Sequence, residues 1–298
     1  MRYLLVNADD FGIGPQVSEG ILDLAARGAV TSTVLLANSP HAEDAVRRWQ
    51  SRGKVPEMGW HPSVTLDGPV LPTGRVPSLL RPDGQFWGLG EFVKRLWTGR
   101  IRTEELRAEL SAQYRRCCEL LGHPPSAVTT HHHVQIFHPV GALVREVVRE
   151  QIPGPYMRMI REPWPMLWRV PGARVRRFVL NFLGRWESDR LPANGSPRNE
   201  WLIGVANPRV VHDPDFLVRW IRQVPGNLVE LTCHPGLYDE TPIGRDCTAD
   251  DGMVQRRVIE FNLLSEPRFF EVCRSAGFTI VNVSQLQALR QGRDAHGV

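Results

Sequence analysis

The chain opens with a short apolar run at residues 3–6 that flows into Ala8-Asp9-Asp10-Phe11-Gly12, after which apolar residues recur at Val17, Ile21 and Leu24. That spacing predicts a helix, with Pro15 suited to its first turn and Gly28 to a left-handed C-terminal cap. The unit repeats at once: a β-branched run at 30–37 precedes a helical pattern at 41–50 that closes near Gly53. Leu106, Leu110, Tyr114 and Leu121 share one face of a predicted helix at 103–121, with Glu104 and Glu105 in its first turn and Gly122 just beyond its end. It leads into a predicted strand at 127–131. The alternation continues with helix 140–150, strand 156–160, helix 215–222, strand 228–232, helix 254–264 and strand 279–283. Strands alternating with helices predict a parallel sheet and an α/β fold. No internal repeat and no Ser/Gly-rich linker divides the chain, so one domain over 1–298 is expected. Two stretches escape the pattern: 62–90, rich in proline and glycine, and 161–199, where arginines mix with tryptophans. Loops that long in a compact domain carry function or cover a site.

Hydrophobic residues make up 42% and charged residues 23%, ordinary for a folded globular protein. A net charge of +4 spread over 298 residues gives little support to nucleic-acid binding, and none is expected. The first apolar run is broken by Asn7 and two aspartates before it could serve as a signal-peptide core, and no apolar stretch reaches the roughly 18 residues that span a bilayer. The expected location is cytoplasmic. Five cysteines, including adjacent Cys117 and Cys118 and no C-x-x-C, are expected to be reduced core residues.

Asp9 and Asp10 fall just past the carboxyl end of the first predicted strand, the rim on which α/β sheets build active sites. Adjacent carboxylates facing one pocket commonly divide the work, one holding a cation and the other acting as a base; a helix N-cap with a solvated neighbour is the structural alternative. His61, in Gly59-Trp60-His61-Pro62, and His131, in Thr129-Thr130-His131-His132-His133, end two further predicted strands. Two imidazoles and a carboxylate leave coordination positions open, as a catalytic metal site requires. In the triplet, strand alternation would put His131 and His133 on one face and His132 on the other, so that at most two enter one pocket. His234, in Leu231-Thr232-Cys233-His234-Pro235-Gly236, ends another strand, either as an acid or base or as a turn residue before proline. Gly12-Ile13-Gly14 lacks the third glycine of a dinucleotide loop, Ser18 lacks the first glycine of a nucleophile elbow, and neither a Walker loop nor H-E-x-x-H occurs.

The order Asn7-Ala8-Asp9-Asp10-Phe11-Gly12, Gly59-Trp60-His61, His131 to His133 and Leu231 to Gly236 resembles the YdjC family of carbohydrate deacetylases, which includes chitooligosaccharide and hopanoid-associated deacetylases. Gly68-Pro69-Val70-Leu71-Pro72 and Val76-Pro77-Ser78-Leu79-Leu80 also resemble the loop after the family's first metal histidine. The resemblance spans nearly the whole chain. It implies a (β/α) barrel-like fold, imperfectly closed, with parallel strands and outer helices, and hydrolysis of N-acetyl groups on an amino sugar, borne on an oligosaccharide or a glycolipid. It makes Asp10, His61 and His131 ligands of one divalent metal ion, magnesium or zinc, with Asp9 the general base and His234 the general acid. Arg158, His133 and Trp164 are the substrate-binding candidates. Thr129 stands where an aspartate often precedes the histidines, Gln135 replaces a frequent histidine, and Pro62 follows the first ligand. The first two departures favour the rival reading, a non-catalytic carbohydrate-binding or regulatory protein on the same fold. A glycosidase using Asp9 and a second carboxylate would need acids about 5–9.5 Å apart and no metal.

The 161–199 stretch is expected to be a lid or insertion. Its arginines, among them Arg174, Arg176 and Arg177, interleave with Trp164, Trp168, Phe178, Phe182 and Trp186. That composition suits either a helix packed on the barrel or a cover meeting sugars or a membrane surface. Peripheral membrane contact and a homo-oligomer both remain compatible with the sequence.

Overall fold

A computed structural model describes residues 1–151, 154–188 and 197–295. The chain runs β1 (Arg2–Phe11), α1 (Pro15–Ala26), β2 (Ser32–Leu35), α2 (Ala42–Ser51), β3 (Glu57–Trp60), α3 (Leu89–Trp97), α4 (Thr103–Leu121), β4 (Ala127–Val128) and α5 (Val140–Val148). It continues β5 (Tyr156–Met157), α6 (Met166–Arg169), α7 (Arg174–Ser188), β6 (Trp201–Ile203), α8 (Phe216–Gln223), β7 (Leu228–Cys233), α9 (Met253–Ser265), α10 (Pro267–Ser275), β8 (Phe278–Val281) and α11 (Val283–Ala295). All strand pairs are parallel, in the order β5-β4-β3-β2-β1-β7-β6, with β8 also on β1.

β1 is the hub because it is long enough to serve three partners. Tyr3 to Ala8 pair with β7, so the other edge is divided between β8 along Arg2 to Leu5 and β2 along Asn7 to Phe11. Leu4, Val6 and Ala8 face the helices and join Val17, Ile21 and Leu24 of α1 in the main core, while Leu5 faces inward with Val34, Ala127, Tyr156 and Val281. The curl is drawn together opposite β1 without regular pairing. Met157 N donates to Pro197 O (3.0 Å), Leu202 N donates to Arg161 O (2.8 Å), and the Asn199 side chain brackets both backbone groups of Met159. The expected α/β barrel-like fold, imperfectly closed, is the one found.

Several elements are shorter than their patterns predicted. The strand expected at 127–131 stops at Val128, and the one expected at 156–160 stops at Met157. The proline- and glycine-rich stretch 62–90 is ordered by α4. Glu105, Glu109 and Gln113, spaced i, i+4, i+8, accept from the backbone amides of Ser78, Val70, Leu71 and Ser63 over 2.7–3.1 Å. Glu105 thus anchors a loop, a job beyond the dipole role its first-turn position suggested. Of the expected lid at 161–199, residues 189–196 lie outside the described residues; the rest forms α6, α7 and the approach to β6.

α7 lies close on the barrel at Gly184, where a Cβ would run into the backbone carbonyl of Ile160. Replacing a mid-helix glycine with alanine ordinarily gains about 1 kcal/mol. Here Gly184→Ala is expected to destabilise by about 1–3 kcal/mol through overpacking, read as a lower melting temperature in calorimetry; an unchanged or raised one would contradict this approach.

Candidate active site

The carboxyl ends of β1, β3, β4, β5 and β7 deliver Asp9 and Asp10, His61, Thr129 to His133, Arg158 and His234 to one rim, as a parallel sheet must. Simple alternation would send Asp9 inward and Asp10 outward. The β1–β2 register slips between Ala8 and Phe11, and Asp10 takes a left-handed φ of 67°. Such a conformation costs an L-residue of order 1–3 kcal/mol and is tolerated best by aspartate and asparagine. It turns both carboxylates to the same pocket, where each is nearly inaccessible to solvent.

Asp9 is held by donors from three residues. Arg158 Nη1 and Nη2 donate to its two oxygens over 2.6 and 2.7 Å, Asn7 Nδ2 donates over 2.8 Å and Thr232 Oγ1 over 3.1 Å. Burial raises its pKa, but the Arg158 guanidinium outweighs this and holds the carboxyl well below the usual carboxylate range. Arg158 is itself wholly buried, and its remaining Nε–H goes to Glu230 (2.7 Å), whose other oxygen accepts from Tyr156 (2.8 Å). Arg158, expected to reach substrate, is buried here with Nε, Nη1 and Nη2 each bonded to Asp9 or Glu230.

Asp10 points one oxygen at two imidazoles and the other at an arginine. Its Oδ1 lies 3.3 Å from His61 Nε2 and 3.0 Å from His131 Nδ1, and its Oδ2 accepts from Arg257 (2.7 Å). His61 Nδ1 contacts both the carbonyl (3.0 Å) and the hydroxyl (2.7 Å) of Thr129. A carbonyl can only accept, so a neutral ring carries its proton on Nδ1 and presents the Nε2 lone pair to Asp10. His131 Nε2 lies 3.0 Å from Asp246 Oδ1. Burial lowers the pKa of His131, yet Asp246 and Asp10 together push it up to about 10. The buried donors of Asp10, His61 and His131 all lie within 4.8 Å of one another. Bonds of about 2.0–2.2 Å to one divalent ion require donors roughly this close, so the group fits such a cation, which would take the place of the His131 Nδ1 proton.

The histidine triplet departs from strand geometry. Residues His131–Ile136 form a 3-10 turn in which His132 and His133 both have left-handed φ, 55° and 57°. All three rings line the site instead of two. His131 takes the centre; His132 Nε2 lies 3.6 Å from Asp246 while its Nδ1 meets Thr65 Oγ1 (3.0 Å). Burial, followed by the charge of His131, pulls the pKa of His132 down to about 3. His133 sits on the Asp9 side, within electrostatic reach of Arg158, Asp9 and His234, and its buried Nδ1 has no hydrogen-bond partner. His234 Nδ1 lies 3.3 Å from Arg256 Nη2, which can only donate, so a neutral ring carries its proton on Nε2, 3.9 Å from Asp9. Burial, followed by the Arg256 charge, pulls His234 down to about 4. Trp164 packs against Phe178 (5.7 Å) and Arg185 (5.1 Å), contacts that lie outside the carboxylate–histidine cluster.

Asp246, Arg256, Arg257 and Glu230 escaped the sequence reading. Asp246 lies in a turn with no periodicity to mark it, fixed by Arg245, which forks Asp67 over 2.6 and 2.7 Å and donates to Ile13 O. Arg256, Arg257 and Glu260 are buried on α9, and charges at inward-facing helical positions were the available signal.

Arg158→Met should lower the unfolding free energy by about 3–5 kcal/mol, because it orphans two buried carboxylates. Without the guanidinium their folded-state pKa values rise above the unfolded ones. The loss is then full above the raised values and fades as pH falls through them, so denaturant titrations at about pH 7 and about pH 5 should show a smaller deficit at the lower pH. A deficit independent of pH would contradict the orphaned-charge explanation.

Comparison with known proteins places the chain in a family. The model of the YdjC-like protein family matches residues 3–275. The carbohydrate deacetylase of Mus musculus is 37% identical over 307 residues, covering 97% of this chain and 96% of that protein. A chitooligosaccharide deacetylase of Klebsiella pneumoniae (strain 342) is 35% identical over 154 residues, half of this chain, and the match spans only 57% of that relative's length. A solved structure from Enterococcus faecalis V583 superposes with a TM-score of 0.73 at 23% identity, covering 96% of this chain and 98% of its own, so the fold is shared. With a family match across the full run of rim residues, this chain belongs to the YdjC-like protein family.

Proposed function

We propose that the protein is a metal-dependent N-deacetylase that removes an acetyl group from an amino sugar and releases acetate. The observation that carries this reading is the split between neighbouring carboxylates: Asp10 converges with His61 and His131, while Asp9, in the same pocket, is held by Arg158. When bound, a divalent ion supplies Lewis acidity, lowering the pKa of a water from about 15.7 to about 7 in zinc sites and offsetting charge on an amide oxygen.

Asp10, His61 and His131 hold that ion; Thr129 and Asp246 orient the two rings from behind. Thr129 fills the place where family members often carry an aspartate, and its hydroxyl and carbonyl both serve His61. This weakens the case for a non-catalytic protein. Asp9, kept ionised and aimed by Arg158, removes the proton of the attacking water. His234 faces Asp9 through Nε2 and is pulled down to about 4, so at neutral pH it offers a hydrogen bond to the departing nitrogen. The proton that nitrogen gains is then the one Asp9 took from water. His133, on the Asp9 side of the rim with a buried Nδ1 that has no protein partner, is the candidate to meet the sugar.

The test is incubation of the metal-loaded protein with N-acetylated chitooligosaccharides, reading loss of one acetyl group by mass and acetate in solution. Released sugar without acetate would contradict the reading. Asp9→Asn should keep the metal and lose roughly 10²- to 10⁴-fold in turnover, whereas Asp10→Ala and His61→Ala should lose the metal on dialysis. Full metal occupancy in the latter pair would overturn the ligand assignment, and metal loss in Asp9→Asn but not in Asp10→Asn would reverse the two aspartate roles.

A further inference from the structure

Val175, Phe178, Val179, Phe182 and Trp186 follow one another on α7 at i, i+3, i+4, i+7 and i+11, the spacing of a buried helical stripe. All five are exposed, Val175 by 80% and Phe182 by 61%. The side of α7 that faces the barrel is another one, formed by Arg177, Leu180 and Asn181, all buried. Trp164 packs on Phe178, Phe178 stacks on Phe182 at 6.5 Å, and Trp168, 75% exposed, extends the surface. A contiguous apolar patch of this kind marks a docking surface.

The charges around it identify the partner. Arg169 and Arg174 are exposed here, whereas Glu162 and Glu187, the acids within residues 161–187, are buried in ion pairs with Arg177 and Arg145. A second copy seated symmetrically would set arginines against arginines. An anionic lipid surface satisfies both features, since aromatic rings settle at the membrane interface and arginines meet headgroup phosphates. On its inner side the same helix borders the site: Leu180 packs with Ile136, which ends the histidine turn, and with Ile160, two residues past Arg158.

We propose that the outer face of α7, with Trp164 and Trp168, docks on an anionic bilayer, independently of the reaction carried out at the rim. Arg177, buried against Glu162, takes no part in it.

The full chain is sedimented with phosphatidylcholine vesicles, with and without phosphatidylglycerol, at low and high salt. The wild type should sediment with the anionic vesicles, less so as salt rises. Arg169→Gln and Arg174→Gln should each weaken binding by about 5-fold, and the double variant Phe178→Ser/Phe182→Ser should abolish it with an unchanged circular dichroism spectrum. No sedimentation at low salt, or binding indifferent to these substitutions, overturns the proposal. So does a wild-type dimer that the double variant turns into a monomer without any vesicle binding, since a second copy then covers the face. Acetate release from soluble substrate is measured in parallel: its loss with intact vesicle binding overturns the deacetylase reading alone, and the reverse overturns the docking alone.

Discussion

Two carboxylates on consecutive residues, both shut away from solvent and both turned to one pocket, can stay ionised together only if each has a counter-charge of its own. Asp9 has Arg158, which follows β5, and Asp10 has Arg257, which lies in α9 nearly 250 residues further along the chain. Like charges in a low-dielectric pocket would otherwise drive one of them to take a proton. The two arginines therefore do more than balance charge. They divide the pair: Arg158 closes around both oxygens of Asp9, whereas Arg257 takes a single oxygen of Asp10 and leaves the other facing His61 and His131.

The rest of the rim works by fixing lone pairs. Thr129 accepts the Nδ1 proton of His61, and Asp246 stands behind Nε2 of His131, so each ring presents its other nitrogen to Asp10. Partners of this kind fix tautomer and orientation, and in other metal sites their loss costs roughly 10- to 100-fold in affinity or activity. Asp246 can do this only because its turn is tied down by the fork of Arg245 on Asp67. Of the six described residues other than glycine with left-handed φ, three, Asp10, His132 and His133, fall where the donors converge, as expected where function over-determines the backbone.

The alternation of strands and helices was legible from apolar spacing, and so was the rim, because parallel strands must deliver their carboxyl ends to one side. The residues at those ends, Asp9, Asp10, His61, His131 and His234, could be read directly. What alternation could not reveal was the bulge that brings Asp10 beside Asp9, or the turn that sends all three histidines to the site. Both depend on left-handed backbone at residues other than glycine, which carries no reliable sequence mark. Arg158 was legible as part of the site, but its burial under Asp9 and Glu230 depends on β5 and β7 facing across the interior. Asp246 and Arg257 come from a patternless turn and from a helix whose inward charges broke the expected apolar stripe.

The central claim is that Asp10, and not Asp9, joins His61 and His131 around one cation. A neighbouring trio, His131, His132 and Asp246, also brings its donors within the same range and is the structural competitor. Anomalous diffraction at the zinc edge, from crystals of the protein loaded with zinc, distinguishes them directly. The predicted result is a single peak within bonding distance of Asp10 Oδ1, His61 Nε2 and His131 Nδ1. A peak between His132 and Asp246, or one bonded to Asp9, would contradict the division of the two aspartates.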